Sequence, residues 1–218
     1  CETGLFRFDL ATGTRTGLAD AGSSATRSNH GRADRQGGFW FGTMGKKAEP
    51  GAGALWRWYR GELRQLFPGI TIPNAICFSP DGRAAHFADT VTGQVMKVAL
   101  DAQGWPSGKP EVWLDLARAG LNPDGAVIDA EGRFWNAQWG AGRVAAYAPD
   151  GAFLRAVETP DAPQSSCPAF GGADLKTLFV TTALEHMDAE ARARHTASGR
   201  VFAFPDVATG LPEPQVIP

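Results

Sequence analysis

Three observations predict an all-β fold, a propeller of repeated four-stranded sheets. The 218 residues include 27 Gly, 15 Pro, 13 Phe and 7 Trp, and stretches of helical period are scarce. That composition suits many short strands joined by tight turns. A unit made of an Asp/Gly turn followed by an aromatic strand recurs at Ala33–Thr43, Phe78–Thr90, Leu121–Trp139 and Phe170–Thr181, the last with its Asp displaced. A second unit opens with Gly and alternates apolar with polar residues, at Gly4–Asp9, Gly53–Tyr59, Gly93–Val98, Gly142–Tyr147 and Gly199–Phe204. Counted from Gly to Gly, the repeat is roughly 40 to 57 residues, the range of a propeller blade.

Each element follows from that repeat. Period-two alternation marks half-buried strands, and Asp34, Asp81 and Asp129 read as turn residues between the first two strands of a blade. Around Asp129-Ala130-Glu131-Gly132 the chain reads as an antiparallel hairpin. Just before it, Pro123 fixes φ and Gly125 relaxes it, so Asp124 sits on a stiff corner. Trp40, Trp56, Trp58, Trp135 and Trp139 fall on strands, where blade packing is their default role. His86 lies in an apolar strand as a satisfied core or rim histidine, and His186 and His195 sit in a polar insertion facing solvent. The charged stretch Asp188–Ser198 is a short helix or a loop.

A propeller gathers the loops entering its innermost strands around one mouth of the central channel. Here these are Arg27-Ser28-Asn29-His30-Gly31, Ile72-Pro73-Asn74-Ala75, Asn122-Pro123-Asp124-Gly125 and Gln164-Ser165-Ser166-Cys167. Repetition thus turns four distant polar motifs into one expected cluster. Four repeats follow a leading pair of outer strands, so the expected ring lacks about one to one and a half N-terminal blades, within a single domain over residues 1–218.

The formal charge of −2, without a basic run, speaks against binding to nucleic acid through its phosphates. No apolar stretch is long enough to span a bilayer. Cys1, Cys77 and Cys167 match neither a zinc knuckle nor a redox pair and read as small apolar fillers, which points to a reducing, cytoplasmic setting. Neither a Gly-x-Ser-x-Gly elbow nor a phosphate-binding Gly loop is present, which leaves covalent serine catalysis and nucleotide use without support.

Five pieces, in order along the chain, carry a resemblance: Arg27–Asp34, Phe41–Gly45, Pro73–Gly82, Pro123–Asp129 and Ala169–Gly172. Together the set resembles the SMP-30/gluconolactonase/luciferin-regenerating-enzyme family, to which regucalcin belongs. The resemblance implies a six-bladed propeller with one divalent metal ion in the channel and, in many members, hydrolysis of sugar lactones. It implies that Asn74 and Asp124 ligate the metal, that Asp124 also transfers the proton, and that Arg27 and Asn29 contact the substrate. The family's third ligand, a Glu on the first inner strand, has no counterpart here. His30 stands where an Asp is common in the family and is a further candidate substrate contact. Lys47 stands near a position held by a substrate-contacting Glu in some members.

The chemistry of these residue types fits that implication. An amide oxygen and a carboxylate are hard donors for Ca²⁺, Mg²⁺, Mn²⁺ or, with open coordination, Zn²⁺. Such an ion polarises a lactone carbonyl, and a carboxylate beside it takes a proton from water and returns one to the leaving alkoxide. Arg27 and Asn29 can hold sugar hydroxyls by directional hydrogen bonds. Asn74 and Asn29 also suit turns, Arg27 a surface, and His30 a neutral structural hydrogen bond. Two other functions share the fold: hydrolysis of another ester or an organophosphate, and non-catalytic binding of a metal, small molecule or protein. The expected partner is a small sugar lactone, with neither nucleic acid nor membrane. The oligomeric state is left open.

Overall fold

A computed structural model describes residue 2 and residues 4–217. Strands β1 (Leu5–Phe8) and β2 (Arg15–Ala19) form a two-stranded sheet. The first blade is β3 (Thr26–Ala33), β4 (Phe39–Gly45), β5 (Gly53–Tyr59) and β6 (Glu62–Ile70). The second is β7 (Pro73–Phe78), β8 (Ala84–Asp89), β9 (Gln94–Ala99) and β10 (Glu111–Asp115). The third is β11 (Asn122–Ile128), β12 (Phe134–Trp139), β13 (Arg143–Tyr147) and β14 (Phe153–Glu158). The fourth blade has three strands, β15 (Ser165–Gly171), β16 (Thr177–Thr182) and β17 (Val201–Phe204), with helix α1 (Ala189–Arg194) inserted before the last. Asp188 caps that helix, its side chain accepting from the Ala191 N–H, as its residue type favours. All pairings within the blades are antiparallel, so the expected all-β propeller is the observed fold.

The core is a stack of layers between blades. Trp40 and Leu55 of the first blade meet Ile76, Phe78 and Phe87 of the second. Cys77 and Val95 of the second meet Ile128, Phe134 and Tyr147 of the third. Val127, Trp135 and Val144 of the third meet Leu178 and Val180 of the fourth. Each fully buried large apolar side chain contributes about 1.5–3 kcal/mol, so these layers hold neighbouring blades in fixed relation.

The repeated turn aspartates organise the hairpins at the other end of the channel. Asp34 Oδ1 accepts the N–H groups of Gln36 and Gly38, and its Oδ2 accepts Trp40 Nε1 and Arg57 Nε. Asp129 repeats the pattern with Glu131, Arg133 and Trp135. The segment after β17 crosses this end. Its Thr209 carbonyl accepts from Ala130 N–H, Glu213 pairs with Arg32 at 3.3 Å, and Ile217 N–H donates to Gly37 O. It thereby ties the fourth, third and first blades together.

Three expectations are corrected. The four entering segments are the bulged starts of β3, β7, β11 and β15 rather than loops, with register breaks at Ser28/Gly31, Asn74/Cys77, Pro123/Ala126 and Ser165/Cys167. Gly125 does not need a left-handed backbone. A Cβ there would stand 2.7 Å from Cys167 Sγ and 2.8 Å from Ser166 O, so close approach of β15 is what requires glycine. His86 is buried against Trp113 and Phe134, but neither ring nitrogen has a hydrogen-bond partner among the described residues. Cys77 is a buried free thiol that burial pushes up to about 12, and Cys167 is a free, half-buried thiol. Cys1 lies outside the described residues.

Candidate active site

A β-bulge places two residues of one strand opposite one of its partner and re-aims a side chain. Each innermost strand bulges where its polar motif enters, which delivers those motifs to one cavity of about 630 Å³ at the channel mouth. The expected residues Arg27, Asn29, Asn74 and Asp124 all line it. At Asn74 the turn is sharpened by the next residue, since Ala75 adopts φ 54° while fully buried.

A chain of hydrogen bonds orders the site across three blades. Arg27 donates to Asn29 Oδ1 at 3.3 Å and to the Ser28 carbonyl at 3.1 Å. Asn29 Nδ2 donates to the Pro73 carbonyl at 3.0 Å and to Asn74 Oδ1 at 3.3 Å. Asn74 Nδ2 donates to Thr90 Oγ1 at 2.9 Å, and that hydroxyl donates to the Pro123 carbonyl at 2.7 Å. The amide nitrogen of Asn74 is thus committed to Thr90, its oxygen accepts from Asn29, and the residue shares the cavity wall with Asp124.

Burial pushes the Asp124 carboxyl up to about 7, opposed by the Ser166 hydroxyl and the Gly125 N–H and reinforced by the charge of Glu185. A carboxylate tuned to neutrality suits proton transfer. Asp124 and Asn74 also form a pair of hard oxygen donors that fits a divalent cation with further water ligands. Among the described residues, no group of three His, Cys, Asp or Glu side chains is placed to hold a metal, so a carboxylate-rich cage is not built here.

His30 departs from its expected place. Its Nδ1 accepts from the Ile76 N–H at 3.1 Å, bridging β3 to β7, and its ring is not on the cavity wall. Burial, with the charge of Arg32, lowers its pKa to about 3, so the ring is neutral and Nε2 carries the proton.

The wall also includes Lys47, which stands near a substrate-contacting position of the family, Ser166 of the fourth entering segment, and residues without an expected role. Lys46 and Lys47 stand on the side of Arg27, while Glu185 and the exposed His186 come from the segment before α1. Thr90, Ser166 and Trp139 complete the floor and rim. Thr90 was detectable only as the residue following the aromatic strand of the second repeat. The place of the exposed Glu185 on the cavity wall had no sequence signal.

The SMP-30/Gluconolactonase/LRE-like region matches residues 1–184. A protein named putative sugar lactone lactonase from Rhizobium meliloti strain 1021 is 45% identical over 189 residues, which are 86% of this chain and 64% of that protein. The chain thus spans just under two thirds of that relative's length. A 6-deoxy-6-sulfogluconolactonase from Pseudomonas putida is 35% identical over 98% of this chain and 74% of its own length. Among solved structures, a calcium-binding protein, regucalcin, from Agrobacterium tumefaciens C58 superposes with TM-score 0.96 at 43% identity, covering 99% of this chain and 74% of its own. The matched region, the relatives and the superposition agree with the order of motifs along the strands: this chain belongs to the SMP-30/gluconolactonase/LRE-like family.

Proposed function

We propose that the protein hydrolyses a small sugar lactone to its aldonic acid with the aid of one divalent metal ion. The observation that carries this reading is the convergence of Arg27, Asn29, Asn74 and Asp124 on one cavity, with a hydrogen-bond chain running from Arg27 through Asn29, Asn74 and Thr90 to the carbonyl of Pro123, next to Asp124. Relatives named as lactonases support the substrate class, and the calcium-binding neighbour supports a divalent cation among Ca²⁺, Zn²⁺, Mn²⁺ and Mg²⁺. In this reading the four blades and the sheet β1–β2 belong to a six-bladed ring, and the free thiols accord with a cytoplasmic setting.

Asn74 Oδ1 and the Asp124 carboxylate would hold the cation. When bound, it supplies Lewis-acid polarisation of the lactone carbonyl. Arg27 and Asn29 orient the sugar hydroxyls. Asp124 takes a proton from the attacking water as the water oxygen bonds to the carbonyl carbon. The ring C–O bond then breaks, and the proton passes from Asp124 to the leaving alkoxide, giving the open hydroxy acid. His30 acts one step back, holding β3 against β7 beneath Asn29 and Asn74. Trp139 is the single Trp, Tyr or Phe side chain on the described wall, which favours a hydroxylated substrate over an aromatic ester.

The test is proton release from a panel of aldonolactones, with metal-stripped protein and each divalent ion returned in turn. Turnover that requires metal and is lost in Asp124→Asn supports the reading. A folded protein that binds the ions yet turns over none of the lactones sinks it and leaves a binding propeller.

A further inference from the structure

We propose that Thr90 is a positioning residue that sets both metal ligands at once, an inference that rests on reading Asn74 and Asp124 as those ligands. Its hydroxyl bridges the two ligand-bearing strands with a single atom. Oγ1 accepts from Asn74 Nδ2 at 2.9 Å and donates to the Pro123 carbonyl at 2.7 Å, one peptide before Asp124. A hydroxyl has one proton, and Pro123 O takes it. The lone pairs therefore face Asn74, and only the NH₂ end of its amide can meet them.

That arrangement decides which end of the amide a cation sees. With Nδ2 held by Thr90, Oδ1 is the amide atom left to meet a cation, and it already accepts from Asn29. Turned by half a rotation, the amide would present its NH₂ to the cation and face its oxygen towards the hydroxyl oxygen of Thr90. Removing the hydroxyl lifts that constraint and leaves the Pro123 carbonyl without its donor.

Thr90 is itself held firmly. Its N–H donates to the Ile72 carbonyl at 3.0 Å. The adjacent Asp89 carboxylate accepts the N–H groups of Thr71, Ile72 and Val91, which pins the backbone leading into Asn74. β-Branching further limits its side-chain rotation. The Asp89–Thr90 pair thus fixes β7 through backbone bonds, and the Thr90 hydroxyl adds a polar link to β11 beside the apolar layer between the two blades.

The experiment is calorimetric titration of the whole chain with Ca²⁺ and Mn²⁺, comparing wild type, Thr90→Val and Thr90→Ser, with the Mn²⁺ resonance line shape as a second readout. Loss of an outer-shell partner typically weakens metal affinity about 10–100-fold, and that loss is expected for Thr90→Val. Thr90→Ser keeps the hydroxyl and should restore affinity and line shape. Thermal melts check folding, and Thr90→Ala replaces the valine variant if the latter does not fold. Wild-type affinity in the folded variants that lack the hydroxyl would overturn the positioning role. A folded wild type that binds neither ion would instead overturn the ligand assignment on which the role depends.

Discussion

Asn29 Nδ2 donates to Asn74 Oδ1 at 3.3 Å across the boundary between the first and second blades. One side chain proposed to touch substrate therefore also polarises an oxygen proposed to hold the metal. In that proposal a substrate hydroxyl drawing on Asn29 would be felt at Asn74 through this one bond.

The first prediction concerns that bond. Asn29→Asp replaces the donor by an acceptor and sets a carboxylate oxygen against Asn74 Oδ1 and the Pro73 carbonyl. Asn29→Ala removes the donor without adding charge. Alanine should weaken metal binding about 10–100-fold, as loss of an outer-shell partner does, and should also raise KM. If Asn29 were only a turn residue, both variants would alter melting temperature while KM and metal affinity stayed at wild-type values.

The second prediction follows from the raised pKa of Asp124, about 7 against an ordinary aspartate near 3.8. Between those values the folded, metal-free protein binds a proton that the unfolded chain does not. The resulting stability is complete below the unfolded value and is lost as pH rises through about 7. Metal-free protein should therefore melt progressively lower from pH 4 to pH 8, and Asp124→Asn should flatten that slope and melt higher at pH 8. Metal binding should release close to one proton at pH 6 and markedly less at pH 8.5, measured by titration in buffers of different ionisation heat. Equal proton release at both values would remove Asp124 from the ligand set.

Much of this arrangement was legible in the sequence because strands and turns are local. The Gly-led alternating segments mark β1, β5, β9, β13 and β17, and the repeated aspartates mark the hairpins that Asp34 and Asp129 close. The convergence of Asn74 and Asp124 was legible because repetition places equivalent positions at one end of the channel. The bond of His30 to Ile76, the bridge of Thr90 to Pro123 and the approach of Cys167 to Gly125 were not. Each involves backbone at or beside a bulge, and a one-residue slip there sends a side chain to the other face of the strand. The same uncertainty left His30 between a substrate contact and a neutral structural hydrogen bond, and the structure shows the bond to Ile76.

The third prediction separates those two roles of His30. Its Nδ1 satisfies the Ile76 N–H, whose residue is fully buried. His30→Ala leaves that donor without a partner, at a cost of about 1–3 kcal/mol of folding stability. The measurement is urea unfolding beside steady-state kinetics. The variant should unfold at lower urea while its KM remains close to wild type. A raised KM with unchanged stability would return His30 to the substrate-binding set.

The fourth prediction tests the frame that aims the site. Arg57 and Asp34 are both fully buried and paired at 2.6 Å, and Asp34 also holds the Trp40 indole and the hairpin N–H groups. Asp34→Ala leaves the Arg57 charge buried without its carboxylate. Breaking such a pair from one side costs about 3–5 kcal/mol, far more than a surface bridge such as Lys46 with Glu2 could contribute. Stability should fall by that order in chemical denaturation, whereas Lys46→Ala should change it by less than about 1 kcal/mol. Because β3 carries Arg27 and Asn29 at one end and leads into Asp34 at the other, the damage begins far from the cavity. The surviving folded fraction of Asp34→Ala should therefore keep its metal affinity. Loss of affinity in protein that remains folded would show that the channel mouth takes its geometry from this distant hairpin, rather than from the bulges and the Asn29–Asn74–Thr90 bonds around it.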